Sequence, residues 1–175
     1  MAAPRKPKVL LTRQQIGLGV ARLAKEVSMD YQGKCPLLLS ILKGSFVFMA
    51  DLVRLLEVPV VIDFVRLSSY GSGTETSGRM KLVQGLRQPI RGRDVVVVED
   101  IVDTGLTVSY FMDYLRRKKP ASLRLCALFD KPSRRKTPVK IDYLGFTVPD
   151  RFVVGYGLDC NENYRYLPDL CYLEE

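Results

Sequence analysis

VVVVEDIVDTGLTVS, residues Val95 to Ser109, decides the fold of this chain. Four consecutive valines are too short a run for a buried helix and are typical of a parallel strand covered on both faces. The run meets Glu99, Asp100 and Asp103, then a Thr-Gly-Leu-Thr turn at residues 104–107. Beyond it Leu106, Val108, Phe111, Met112 and Leu115 recur at helical spacing. A strand that ends abruptly in an acidic edge, followed by a hydroxyl-rich helix start, has the composition of a site rather than of a plain connection.

Working upstream, Gly92-Arg93-Asp94 is a turn that launches this strand, and Met80 to Val83 reads as a strand before it. Between them and Val60–Leu67, a strand interrupted by Asp63 and Arg66, lies SSYGSGTETSG, Ser68 to Gly78, with Tyr70 its one large side chain. Such a stretch is too long for a neutral connection in a compact domain, so an active-site lid is expected; the alternative is a hairpin tip. Earlier still, Pro36 introduces the apolar strand Leu37–Leu42, which runs into Lys43-Gly44-Ser45 and a helix carried by Phe46, Met49, Ala50, Val53 and Leu56. Thr12-Arg13-Gln14-Gln15 is a capping-box pattern ahead of Ile16, Val20, Leu23, Ala24 and Val27. Gly17 and Gly19 do not make a dinucleotide fingerprint, because no strand precedes them and position 22 is Arg. Residues 1–8 are expected to form a loose basic arm.

Downstream, Pro120 stops the helix after Arg116-Arg117-Lys118-Lys119, and Leu123–Phe129 is a further apolar strand ending at Asp130-Lys131-Pro132. Ser133–Lys136 reads as a basic loop, and Val139–Leu144 and Phe146–Val148 as two short strands. The tail from Arg151 closes on the core through Leu167, Leu170 and Leu173. Helices and strands alternate through the first two thirds of the chain, which predicts one α/β domain over residues 1–175 with a mainly parallel sheet. Ligands of such sheets bind beyond the carboxyl ends of the strands. Lys43-Gly44, Glu99–Thr107 and Asp130-Lys131 all fall there.

Composition narrows the chemistry. The 175 residues are 47% hydrophobic, enough for a substantial core, and 27 Lys and Arg against 19 Asp and Glu leave a net charge of +8. That balance points to a phosphorylated substrate, a nucleic acid or an anionic surface. Histidine is absent, and Cys35, Cys126, Cys160 and Cys171 form no C-x-x-C pair. Cys/His zinc sites and His-dependent triads are thereby set aside. No apolar run of membrane-spanning length and no signal peptide is present, so reduced thiols in a cytoplasm are expected.

At the turn, free backbone N–H groups of a helix start, the Gly105 backbone and the Thr104 and Thr107 hydroxyls together form a phosphate cradle without a P-loop Lys. Glu99 and Asp100 would repel that phosphate unless a divalent cation or a ribose diol intervenes. A sugar phosphate with Mg²⁺ fits both halves. Taken singly, Asp103 is an ordinary helix cap and Glu99-Asp100 a solvated strand end; the concentration of all these features in one turn favours the site.

VVVVEDIVDTGLT resembles the phosphoribosyl-pyrophosphate signature of type I phosphoribosyltransferases, and the rest resembles the hypoxanthine-guanine branch. The supporting residues are Leu42-Lys43-Gly44-Ser45, Asp63–Leu67 with Ser69-Tyr70, Lys131, and RFVVGYGLDCNENYR from Arg151 to Arg165. The resemblance implies a mainly parallel central sheet flanked by helices, with a small hood and a flexible lid loop over residues 68–78. It implies transfer of the 5-phosphoribosyl group from its 1-pyrophosphate to N9 of hypoxanthine or guanine, with Mg²⁺, and assembly as a homodimer or homotetramer.

On this resemblance Asp103 is the general base near purine N7, and Asp103, Thr104, Gly105, Leu106 and Thr107 hold the 5′-phosphate, Leu106 through its amide. Glu99 and Asp100 bind the ribose hydroxyls, directly or through Mg²⁺, and Asp159 holds a second Mg²⁺ through water. Lys43, Gly44 and Arg165 take the pyrophosphate, with a cis Leu42–Lys43 peptide. Lys131 donates to purine O6, Phe152 stacks on the ring, the Val153 backbone reads the base edge, and Ser69-Tyr70 belongs to the lid. Lys131 can donate to a 6-oxo group but cannot accept from a 6-amino group, which disfavours adenine. Rival readings are a phosphoribosyltransferase for xanthine or uracil, and an RNA-binding member of the fold encouraged by the +8 charge and Arg134-Arg135-Lys136. No aromatic-interleaved basic surface supports the latter, so no nucleic-acid partner is expected.

Overall fold

The computed structural model describes residues 6–69 and 80–174. Two sheets are present among them. A six-stranded sheet has the order β4-β3-β2-β5-β6-β7, comprising β2 (Leu37–Leu42), β3 (Val61–Ser69), β4 (Met80–Gln84), β5 (Asp94–Val102), β6 (Ser122–Asp130) and β7 (Tyr143–Thr147). All its neighbours pair in parallel except β3 with β4. A small antiparallel sheet, β1-β9-β8, joins β1 (Lys8–Leu11), β8 (Val153–Val154) and β9 (Leu170–Tyr172). The helices are α1 (Arg13–Asp30), α2 (Phe46–Leu55) and α3 (Leu106–Arg116).

The valine run lies inside the large sheet, between β2 and β6, and Val95–Val98 are fully buried. Alternating side chains sort it between two cores. Val96 and Val98 pack with α1 and α2 residues such as Leu23, Val27, Met49 and Leu52, whereas Val95 and Val97 pack with Phe111, Met112 and Leu115 of α3. Helix α1 starts with the expected capping box, the Gln15 amide donating to Thr12 Oγ1 at 3.3 Å and the Thr12 amide to Gln15 Oε1 at 2.9 Å. Gly19 serves close contact rather than a cofactor: a Cβ there would come within 2.4 Å of the Phe146 ring on β7.

Several elements depart from the sequence expectations. Lys8, placed in the arm, opens β1, which pairs antiparallel with β9. The two short strands expected over residues 139–148 are one, β7; Val139 and Ile141 instead fill the α3-side core. Strand β5 does not end at Glu99 but continues to Val102, because β6 keeps register with it through Val102↔Asp130. No helix among the described residues is long and apolar enough to cross a membrane.

From β2 the chain moves outward to β3, and from β5 it moves the opposite way to β6 and β7. The crevice beyond the carboxyl ends of β2 and β5 is therefore a topological switch point, the place where open α/β sheets take ligands.

Candidate active site

Three chain segments meet at this crevice. Strand β5 delivers the consecutive carboxylates Glu99 and Asp100. Asp100 lies over Gly44, just past β2: a Cβ on Gly44 would sit 1.7 Å from Asp100 Oδ2. Gly157 abuts the other side of that turn, where a Cβ would meet the Gly44 carbonyl oxygen at 2.2 Å, and Gly157 itself has φ +97°. At Gly157 the obstacle to a side chain is backbone, at Gly44 it is the Asp100 side chain. The Leu42–Lys43 peptide is cis.

Glu99 and Asp100 are both 8% exposed, and Glu99 Oε2 has no hydrogen-bond partner. Burial, with the neighbouring Asp100 charge, pushes the Glu99 carboxyl well above the usual range. Burial also raises Asp100, to about 6; hydrogen bonds from backbone amides, including that of Ile101 at 2.8 Å, and the Arg165 charge oppose the rise. Two buried, under-neutralised carboxylates at a crevice are a site waiting for cationic or hydroxylic partners.

The next residues turn sharply. Gly105 adopts φ +81°, and a Cβ would come 2.4 Å from the Thr137 carbonyl oxygen, so the left-handed turn and the loop behind it both require glycine. Helix α3 then begins at Leu106 without a side-chain cap at Gly105. The Leu106 amide reaches Thr104 Oγ1 at 3.4 Å. Asp103 Oδ1 has no hydrogen-bond partner, although Arg134 Nε is 3.5 Å away.

On the Gly44 side, cations gather. Lys43 Nζ pairs with Glu162 Oε1 at 2.8 Å. Arg165 Nη2 pairs with Asp159 Oδ1 at 2.8 Å and with Glu162 Oε2 at 3.5 Å, while Nη1 donates to the Gly157 carbonyl at 2.8 Å. Its Nε has no partner. The Lys43 ammonium, donating a hydrogen bond to Glu162, holds that carboxyl below its usual range.

On the β6 side, Lys131 is 4% exposed; its ammonium donates to the Arg151 carbonyl at 2.7 Å and its amide to the Val102 carbonyl at 3.0 Å. Phe152 follows, 55% exposed, ahead of buried Val153 on β8. Of the lid residues, Ser69 ends β3 and Tyr70 lies outside the described residues. Sequence reasoning missed Glu162, which bridges Lys43 and Arg165, and Arg135, whose guanidinium donates to the Val102 and Asp103 carbonyls. Arg134, half exposed, approaches Asp103, and Arg135 is largely buried against the turn.

Similarities to known proteins agree with this geometry. Residues 8–161 match the phosphoribosyl transferase domain family. The hypoxanthine-guanine phosphoribosyltransferase of Bacillus subtilis is 45% identical over 92% of this chain and 89% of its own length. That of Aquifex aeolicus is 44% identical over 98% of this chain and 97% of its own. A crystal structure of a hypoxanthine-guanine phosphoribosyltransferase from Bacillus anthracis superposes with a TM-score of 0.92 at 43% identity, covering 98% of this chain and 100% of that one. The resemblance carried by the valine strand and its turn thus extends across nearly the whole chain, which belongs to the phosphoribosyltransferase family, in its hypoxanthine-guanine branch.

Proposed function

We propose that this enzyme transfers the 5-phosphoribosyl group from 5-phosphoribosyl 1-pyrophosphate to N9 of hypoxanthine or guanine, releasing pyrophosphate and giving IMP or GMP in purine salvage. The observation that carries the reading is the convergence of Asp100, Gly44, Gly157 and Arg165, from three distant segments, at the switch point of the sheet.

In this reading the amides and hydroxyls of Asp103–Thr107 hold the 5′-phosphate, and Lys43, Gly44 and Arg165 receive the pyrophosphate. Departure of that group leaves an oxocarbenium-like ribose, so the residues around it must stabilise a leaving anion and exclude water from C1′. Asp103 takes the purine proton. Lys131 and Phe152 present the ammonium and the ring face that select a 6-oxopurine, with the Val153 backbone at the base edge.

Mg²⁺ is the proposed cofactor. Among the described residues no three acidic, Cys or His side chains group into a metal cage. Glu99, Asp100 and Asp159 suit an ion that arrives with its phosphates, since Mg²⁺ keeps waters and takes only one or two carboxylates; the partnerless Glu99 Oε2 fits that role. Bound there, the ion would neutralise the pyrophosphate and lower the pKa of the raised carboxyls. We place the enzyme in the cytoplasm as a homodimer or homotetramer. Exposed Phe46, Leu55 and Tyr166, around grooves that share Gly17, Asp51 and Tyr156, support a self-association surface.

The test is direct: incubate the protein with phosphoribosyl pyrophosphate, Mg²⁺ and, separately, hypoxanthine, guanine, adenine and uracil. Nucleotide is expected from the 6-oxopurines alone. No product from either would overturn the reading.

A further inference from the structure

Arg135 sits in a run of three basic residues that reads as solvated charge, yet its side chain is only 17% exposed. Its Nε donates to the Asp103 carbonyl at 3.0 Å and its Nη2 to the Val102 carbonyl at 3.2 Å. Nη2 also pairs with the carboxylate of Asp130, at the end of β6, which is 14% exposed. The adjacent amides of Lys136 and Thr137 both donate to the Thr104 carbonyl, at 2.9 and 3.1 Å. The stem of Arg135 lies against the turn as well, its Cδ 2.9 Å from where a Gly105 Cβ would be.

Three successive carbonyls, those of Val102, Asp103 and Thr104, are thus drawn toward one loop. In a planar trans peptide the carbonyl of one residue and the N–H of the next point in opposite directions. Turning those oxygens toward the loop turns the amides of Asp103, Thr104 and Gly105 away from it. We propose that Arg135, neutralised by Asp130, is a positioning residue. Its planar fork orients the two peptides that lead into the phosphate turn, those of the Val102 and Asp103 carbonyls, and fixes the backbone from which the Asp103 carboxylate reaches the purine. A guanidinium is suited to this because it can serve two carbonyls and a carboxylate at fixed angles, which an ammonium cannot reproduce. Asp130 removes its charge from the balance of the site, so the arginine acts through geometry.

This inference rests on the proposed roles of Asp103 and of the turn. The experiment compares full-length Arg135→Lys, Asp130→Asn and Asp103→Asn in steady-state kinetics and thermal melts. Lysine keeps a counter-charge for Asp130, so Arg135→Lys is expected to melt within a few degrees of the parent. Its kcat should fall by about tenfold to a hundredfold, the scale of a small misplacement of reacting groups. Its KM for phosphoribosyl pyrophosphate should rise while its KM for hypoxanthine stays within about twofold. A merely structural role would lower the active fraction and leave both KM values unchanged, and that result overturns the proposal. So does an Arg135→Lys enzyme with parental kinetics. Asp130→Asn leaves both carbonyl bonds of Arg135 in place and should keep most activity; a loss matching that of Arg135→Lys would mean the ion pair carries the effect, also against the proposal. If Arg135→Lys melts below the assay temperature, the same kcat and KM comparison with the parent is made below its melting temperature. Retained turnover in Asp103→Asn would sink the assignment of the turn itself, whereas an inactive Asp103→Asn beside a parental Arg135→Lys removes only the fork.

Discussion

In the proposed reaction the groups that the Asp103–Thr107 turn offers an anion are backbone amides and hydroxyls, with the neutralised Arg135 behind the turn. At the Lys43–Arg165 corner they are side-chain cations already paired with Glu162 and Asp159. One arrangement is fixed and the other is exchangeable. In the proposed reaction the phosphate at the first site stays with the ribose throughout, so preoriented dipoles that need no rearrangement suit it. The anion at the second site must arrive, gain charge and leave, so cations that can trade one carboxylate for another suit that step.

The strongest way to break this comparison is to remove the charge of the turn while keeping its dipoles. Asp103→Asn should lower kcat by about 10²–10⁴-fold and leave the KM for phosphoribosyl pyrophosphate within a few-fold, measured by initial rates. A comparable loss in both would mean that the carboxylate, not the amides, governs binding there.

The two glycines separate the corners next. In Gly105→Ala the new Cβ meets a backbone carbonyl at 2.4 Å in a left-handed residue, so a stability loss of about 2–4 kcal/mol is expected by denaturant unfolding. In Gly44→Ala the nearest atom, at 1.7 Å, belongs to the Asp100 side chain, which can swing away. That variant should lose less stability and at least about tenfold in turnover, because the displaced carboxylate is one assigned to the ribose in the proposed reaction. Equal stability losses would erase the distinction between a fixed and an adjustable corner.

Asp100 itself links the corners and gives a pH signature. Its carboxyl is raised to about 6 by burial, so its contribution favours the folded state below the ordinary carboxylate range and is lost as pH rises through about 6. Replacing it by Asn should therefore stabilise the metal-free protein by roughly 2–3 kcal/mol at pH 8 and very little at pH 4. Thermal melts across that range test it; an Asn effect independent of pH would show that the carboxyl is not held neutral by its surroundings.

Much of this was readable from residue order alone. Leu37–Leu42 is a strand with the expected bounds, since an apolar run bounded by Pro36 and Lys43-Gly44 admits little else. The Thr12 capping box is equally local. What escaped depends on distant partners. Lys8–Leu11 becomes a strand only because residues 170–172 lie alongside it, and β5 passes Glu99 only because β6 continues in register. Val139 and Ile141 alternate like a strand but fill the core beside α3. At the site, Lys43, Gly44, Asp100 and Asp103 announced themselves at strand ends, where α/β sheets place their chemistry. Arg135 and Glu162 did not: a basic run and an acidic residue in an irregular loop carry no periodicity, and their meaning lies in which carbonyls and cations they meet.

Glu162 supplies the smallest and most selective test. Its carboxylate spans the two cations assigned to the pyrophosphate, resting in a left-handed residue whose amide donates to Asp159 Oδ2 at 2.8 Å. In the proposed reaction it is the internal anion that an incoming pyrophosphate replaces. Because it is 65% exposed, the exchange is gentle. Glu162→Gln should lower the KM for phosphoribosyl pyrophosphate and tighten product inhibition by pyrophosphate by about two- to fivefold, the scale of one exposed ion pair, with stability almost unchanged. The Asp103–Thr107 turn holds no such placeholder, so the same substitution should leave inhibition by a nucleoside 5′-monophosphate untouched. If both kinds of inhibitor tighten together, Glu162 acts through the net charge of the crevice rather than at the exchangeable corner.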